Sequence, residues 1–407
     1  MKRLTTILAS IFTLVTNISA RDISFAYEGQ TISYTIIDEE AKTVATKAGR
    51  EGRTGLNPGN IIEGDLVIPS FIKEGDVEYT VIGIGDRSFY DNKDLTSIKL
   101  PDTVYEIGEY AFYECISLSE INLPSATAKV GQGAFINTSI ETIVWHENAT
   151  EIPMSAFSGC KRLSSITIPS SLTIIGHYAF SRCESLESIE FPDALTDIGE
   201  EAFANCMALK SVSFTHTGTP PHIGNRAFCE CTSIETAILP DGMETLERGL
   251  FTGCTSLSSV SIPETVRRIE NAAFSRCSNL TVIEIPEHVE FIGASAFAQC
   301  SSLKAVNVPA GIDRIESSTF KSCSSLSSVS LPSTIVEIGY EAFRGCLSLT
   351  AITLPETLTS ISNYAFAYCR GLERIDLPKS LINLGDYAFQ ACSALTSIEI
   401  PESLAES

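Results

Sequence analysis

Fourteen phenylalanines recur along this 407-residue chain at a nearly fixed step: Phe89, Phe112, Phe135, Phe157, Phe180, Phe203, Phe228, Phe251, Phe274, Phe297, Phe320, Phe343, Phe366 and Phe389. The step is 23 residues, except 22 before Phe157 and 25 before Phe228. A period between about 20 and 50 residues marks a solenoid, because one such unit can bury its apolar side only against its neighbours. The period overrides the two or three globular domains that length alone suggests. At 44% hydrophobic residues, the chain has material for one continuous core.

The unit is clearest from Ile338: Ile338-Gly339-x-x-Ala342-Phe343-x-x-Cys346-x-x-Leu349-x-x-Ile352-x-Leu354-Pro355-x-x-Leu358. Ile352 and Leu354 alternate with Ala351 and Thr353, the period of a strand with one buried face. Phe343, Cys346 and Leu349 are spaced by three, which suits a helical or 3₁₀ turn. Stacked copies then give one parallel sheet along the whole array. Proline cannot donate to a ladder, so Pro355 and its equivalents end the strand in twelve of the fourteen units, with His146 and Thr215 in the other two. Pro69, closing Leu66-Val67-Ile68, reads as one more strand end ahead of the first full unit. The glycine after the isoleucine is replaced by Pro153, Glu247, Glu270, Glu316 and Ser362, so that position does not demand a positive φ.

The expected fold is thus a right-handed α/β solenoid of about 14 repeats over residues 82–407. Residues 21–81 lack the period. Ile23, Phe25 and Tyr27, then Ile32, Tyr34 and Ile36, alternate about Glu28-Gly29-Gln30, which predicts a hairpin capping the open apolar end. Residues 1–20 read as a secretory signal: Lys2 and Arg3, an apolar stretch from Leu4 to Thr16, and Ile18-Ser19-Ala20 as the cleavage site. No segment is long and apolar enough for a membrane helix. At the other end Ile398 and Ile400 are expected in a final strand with an open edge, a route to end-to-end homo-association or to fraying.

The formal net charge of −22 repels nucleic acid and anionic membranes. Acids such as Asp193, Asp197, Glu200 and Glu201 are dispersed, as on a solvated surface. The compact basic cluster Lys47, Arg50 and Arg53 lies in the glycine-rich stretch from Gly49 to Gly59, without the Gly-Lys-Ser/Thr ending of a phosphate loop. It reads as a connection.

The unit Ile-Gly-x-x-Ala-Phe-x-x-Cys-x-x-Leu-x-x-Ile-x-Leu-Pro-x-x-Leu closely resembles that of the BspA-like leucine-rich-repeat proteins, over about residues 82–404. The resemblance implies an exported or surface protein of the kind found in host-associated bacteria, with adhesion to host proteins or cells, or co-aggregation with other bacteria, as its role. It brings no catalytic residues, no cofactor and no ligand site defined by the motif.

Twelve of the 13 cysteines occupy one repeat position: Cys115, Cys160, Cys183, Cys206, Cys231, Cys254, Cys277, Cys300, Cys323, Cys346, Cys369 and Cys392. Thiols in register would stand about 4.8 Å apart, whereas a disulfide brings its Cβ atoms to about 3.8 Å, so a ladder of free, buried thiols is expected. Cys229 stands outside it and is the accessible thiol. His216 and His222 flank the one insertion, Thr217-Gly218-Thr219-Pro220-Pro221, and read as loop residues without a third metal ligand. No Gly-x-Ser-x-Gly elbow or Cys–His pair is present, so no catalytic residue is assigned.

Solenoids bind along their long faces. The outward strand positions two before each proline run Lys99, Asn122, Val144, Thr167, Glu190, Ser213, Ile238, Ser261, Glu284, Asn307, Ser330, Thr353, Asp376 and Glu399. Two earlier again they are mostly Ser, with Glu120, Val282 and Arg374 among the departures. This surface has small side chains and no aromatic rings, although sugar sites favour rings and protein hot spots favour Trp, Tyr and Arg. The expected function is protein binding or adhesion at the cell surface; the alternative is a glycan-binding or purely structural surface protein. The expected partner is an extracellular protein or cell-surface ligand.

Overall fold

A computed structural model describes residues 21–49, 62–125, 127–214 and 218–405. The expected signal, Arg50 and Arg53, and His216 lie outside the described residues. The repeats form a parallel β-solenoid of about 13 turns. Its axis is a pile of the fourteen phenylalanine rings. All thirteen successive pairs are stacked, with centroids 5.2–5.8 Å apart and planes within 16° of parallel. The pile runs through both irregular steps: Phe135–Phe157 at 5.4 Å and Phe203–Phe228 at 5.4 Å. The two surplus residues of the long step are therefore taken up outside the core.

Two expectations need correction. The first is the single sheet. Most coils contribute two short strands, and these stack into two parallel ladders, each interrupted along its length. The first holds the expected Ile-x-Leu-Pro strands, as in Ser211–Ser213 beside Thr236–Ile238 beside Ser259–Ser261. The second is formed where the sequence suggests only an extended return, as in Glu337–Ile338 beside Ser360–Ile361 beside Asn383–Leu384. Its glycines have no positive φ, yet they mark close approach between coils. A Cβ on Gly131 would lie 2.4 Å from the Glu109 nitrogen, and one on Gly199 would lie 2.5 Å from the His177 nitrogen.

The second correction concerns the Phe-x-x-Cys segments, which are neither α-helical nor 3₁₀. Their N–H groups alternate in destination. Ala342, Arg344 and Cys346 donate back to Gly339, Glu341 and Phe343 in the same coil, at 3.1–3.2 Å. Glu341, Phe343 and Gly345 donate forward to Asn363, Ala365 and Ala367 of the next coil, at 3.2, 2.8 and 2.8 Å. A 3₁₀ helix would spend every N–H within its own segment. The alternation requires a left-handed residue two before and two after every phenylalanine, and all 28 such residues have φ between 51° and 77°. Only Gly133, Gly159, Gly249, Gly253 and Gly345 among them are glycine. Each of the others costs about 1 kcal/mol of backbone strain. The bond carried into the next coil offsets that cost, since an unsatisfied buried N–H costs about 1–3 kcal/mol.

The cysteines fill the turn beside the rings. Each of the twelve in-register thiols donates its S–H to the carbonyl of the phenylalanine one repeat earlier, at 3.0–3.2 Å. Hydroxyls make similar links between coils, as from Thr334 to the Ile312 carbonyl and Thr357 to the Ile335 carbonyl.

Before the first phenylalanine the chain is irregular. Strands β1 (Asp22–Tyr27) and β2 (Gln30–Asp38) form the antiparallel hairpin that their alternation predicts. β2 pairs antiparallel with β3 (Thr43–Thr46), which in turn pairs parallel with a later strand, Val77–Ile84. That strand pairs parallel with Glu106–Ile107, so the lead-in belongs to the second ladder. Strand β4 (Gly64–Val67), which ends near Pro69, pairs parallel with Leu95–Lys99 and extends the first ladder. At the far end, Ile398 and Ile400 are not in a strand, contrary to expectation. The short helix α1 (Glu402–Ala405) comes next, tied by Ser403 Oγ to the Leu381 carbonyl at 2.5 Å. Among the described residues no helix is long and apolar enough to cross a membrane.

Candidate binding surfaces

The outward positions named from sequence are all exposed, most of them in or beside strands of the first ladder. The structure brings them onto one face, because the ladders keep a constant register. Most are small or polar, as expected. Val144, Ile238 and Val282 are the exceptions, at 67%, 52% and 56% exposure. Arg374 and Asp376 neutralise each other on this face at 2.6 Å.

The thiol ladder offers no reactive group. All 13 cysteines are free; the twelve in register are buried and Cys229 is half-buried. Burial pushes the Cys115 and Cys323 thiols up to about 12 and the Cys160 thiol up to about 11. Cys229 is also raised, to about 11, by burial and by the neighbouring Glu230. Denatured, unreduced protein should therefore react with close to thirteen equivalents of a thiol reagent, and native protein at neutral pH with one at most, slowly. Protection of the twelve in the denatured, unreduced state would show disulfides instead.

His222 meets Asp197, with Nδ1 3.1 Å from Oδ2 on an exposed surface. His146, in a proline place, is buried beside Trp145, whose Nε1 donates to the Glu151 carbonyl at 3.1 Å.

Sequence reasoning missed the aromatic residues of the turn edge. Tyr340 and Tyr364 meet edge to face at 6.0 Å and 80°, and Tyr364 stacks on Tyr387 at 5.1 Å and 14°. Tyr340 and Tyr387 are 45% and 60% exposed. Beside them lies a groove of about 780 Å³, drawn from Tyr340, the stretch from Ser360 to Asn363, the stretch from Ile382 to Gly385, Ile400 and Leu404. None of these eleven residues is charged. On the same edge Glu341 is buried between two cations, with Lys321 Nζ at 2.6 Å and Arg344 in contact, and the Arg344 guanidinium lies 5.3 Å from the Tyr368 ring centre. The available signal was tyrosine recurring two or three places before the phenylalanine, at Tyr110, Tyr178, Tyr340, Tyr364 and Tyr387. In a helical turn those places form no continuous face, so the signal carried no surface.

Burial raises the Glu341 carboxyl, but hydrogen bonds and charge from Lys321 and Arg344 outweigh it and hold the group below its ordinary 4.5. A lowered folded-state pKa gives stability that is present above 4.5 and is lost as pH falls through the folded value. The Glu341→Gln variant is expected to be less stable at pH 7 and to lose less on acidification from pH 5 to 3. Parallel acid limbs for both proteins in denaturant titrations would contradict this.

Two parallel ladders, a pile of phenylalanines and one strand-face residue set per coil define a leucine-rich-repeat β-solenoid. The chain belongs to the family described as the BspA type leucine rich repeat region, whose model matches residues 82–210, 196–327 and 313–407. It is similar to a leucine-rich repeat protein from Bacteroides ovatus, at 29% identity and a TM-score of 0.69 over 96% of each chain. It is also similar to a leucine rich cell surface protein from Faecalibacterium prausnitzii, at 29% identity and a TM-score of 0.56 over 94% of this chain and 96% of the other. No curated protein matches the sequence. The family is a repeat scaffold rather than a known enzyme family.

Proposed function

We propose that this chain is an exported cell-surface protein that binds an extracellular protein through the long outward face of its first ladder, in adhesion to host or neighbouring cells. One observation carries the reading: Val144, Ile238 and Val282 lie more than half exposed on a rigid face that is otherwise small and polar. Their spacing over several coils suits an extended partner laid along the face, since solenoids bind along their long surfaces. The family and the surface description of the Faecalibacterium prausnitzii relative support the location. Residues 1–20 serve as the export signal, and residues 21–81 close the amino-terminal end of the stack. The solenoid works by binding and without a cofactor.

The test is capture from a panel of host matrix proteins by the chain starting at Arg21, compared with a Val144→Asp, Ile238→Asp, Val282→Asp triple variant. Capture by the parent and its loss in the triple variant support the reading. Capture unchanged in the variant, or no capture by the parent, contradicts it.

A further inference from the structure

We propose that the groove beside Tyr340 is a binding site for a neutral oligosaccharide. It is an open depression of about 780 Å³ rather than an enclosed pocket, so a ligand would lie along it. Absence of charge is its most distinctive property. In a chain that is 19% charged, with acids in nearly every coil, this stretch of surface has none among its lining residues. An ionic ligand would find no counter-charge there, whereas a neutral one avoids stripping water from carboxylates.

The groove also mixes two kinds of surface. Tyr340 and Ile382 are 45% and 51% exposed, while Ser360, Ser362, Asn363 and Asn383 supply hydroxyl and amide groups. Flat apolar contact beside neutral donors and acceptors matches a sugar ring, which has an apolar C–H face and a rim of hydroxyls. Tyr340 is suited to the stacking role. Its ring meets Tyr364 at 80° rather than face to face, so at least one Tyr340 face is not taken by that neighbour. Asn363 is held in place, because its Oδ1 accepts the Asp386 N–H at 2.9 Å, which leaves its amide hydrogens for other partners.

Rigidity favours the same ligand class. The groove is drawn from three successive coils whose strands Glu337–Ile338, Ser360–Ile361 and Asn383–Leu384 are paired in register. Ser360 and Asn383 stand on these strands, so they lose little further freedom when a ligand docks. The site is distinct from the apolar residues of the strand face, so it stands whether or not a protein binds there.

Isothermal titration of the chain from Arg21 onward with cellohexaose, laminarihexaose, chitohexaose and mannohexaose tests the proposal, with a heparin hexasaccharide as the charged comparison. At least one neutral sugar should bind with a Kd below about 1 mM, and the heparin fragment should not. Tyr340→Ala and Asn383→Ala should each weaken binding by about tenfold or more, with an unchanged circular dichroism spectrum. Val144→Asp, on the strand face, should leave sugar binding unaltered while serving the protein-capture test. No heat with any neutral sugar at about 5 mM, binding confined to the heparin fragment, or parental affinity in Tyr340→Ala would each overturn it.

Discussion

Replacing Phe251 by alanine is expected to cost about 4 kcal/mol and to split unfolding into two transitions. Phe251 is fully buried and stacked on both sides, 5.8 Å from Phe228 and 5.8 Å from Phe274. Truncation of a buried phenylalanine costs about 3–5 kcal/mol, and the two lost ring contacts place this site in the upper part of that range. In a linear array the damage does more than lower stability. Each coil touches only its neighbours, so a weakened coil in mid-stack uncouples the halves on either side. Trp145, the single tryptophan, is buried and packs edge to face on the Phe157 ring at 5.4 Å. Its fluorescence therefore follows the coils before Phe251, while far-ultraviolet circular dichroism follows the whole stack. In urea the parent should give coincident curves by the two probes, and Phe251→Ala should give displaced ones. A loss below about 2 kcal/mol, with the curves still coincident, would mean that the ring pile does not hold the coils together.

The Gly131→Val substitution is expected to cost about 3 kcal/mol, although the glycine has no unusual backbone angle. Its Cβ would meet the Glu109 nitrogen at 2.4 Å and the Glu109 Cα at 2.6 Å. Both are backbone atoms, so the clash is relieved only by moving one coil away from the next. That movement would strain the second ladder where Lys129–Val130 pairs with Glu106–Ile107. The matching change in a coil that already carries a side chain there, Glu247→Ala, should cost less than about 1 kcal/mol, in line with other surface substitutions. Urea midpoints read by Trp145 fluorescence check the first variant and circular dichroism the second. Equal losses in the two would contradict the argument from close approach.

Much of this fold is legible in the sequence, because its main determinants repeat at one spacing. The phenylalanines, in-register cysteines and strand-ending prolines each occupy one place per coil, and each has one physical job there. The hairpin about Glu28-Gly29-Gln30 is legible for the same reason, since its two strands alternate cleanly. The turn is not legible. Its left-handed residues are the usual signal for glycine, yet most are Arg, Tyr, Ser, Glu or Asn, as at Arg182, Tyr178, Ser318, Glu201 and Asn205. Their conformation is imposed by bonds to the next coil, which no local propensity reveals. The second ladder escapes notice because each of its repeat strands is only about two residues long, as at Glu337–Ile338, too short for alternation to show. The strand face can be read from alternation alone. The groove cannot, because it joins Tyr340, Asn363 and Asn383 from three coils whose side-by-side placement depends on the turn geometry.

One uninterrupted stack of coils runs from the lead-in strands to the last phenylalanine, and every other feature of the molecule depends on it. Small-angle X-ray scattering of the chain from Arg21 onward tests that continuity most directly. About thirteen turns at about 4.8 Å each give a stack roughly 60 Å long before the lead-in is added. The radius of gyration should then lie clearly above the roughly 21 Å of a compact globule of this length, with a pair-distance distribution skewed to long distances. A symmetric distribution with a radius of gyration near about 21 Å would contradict the continuous solenoid.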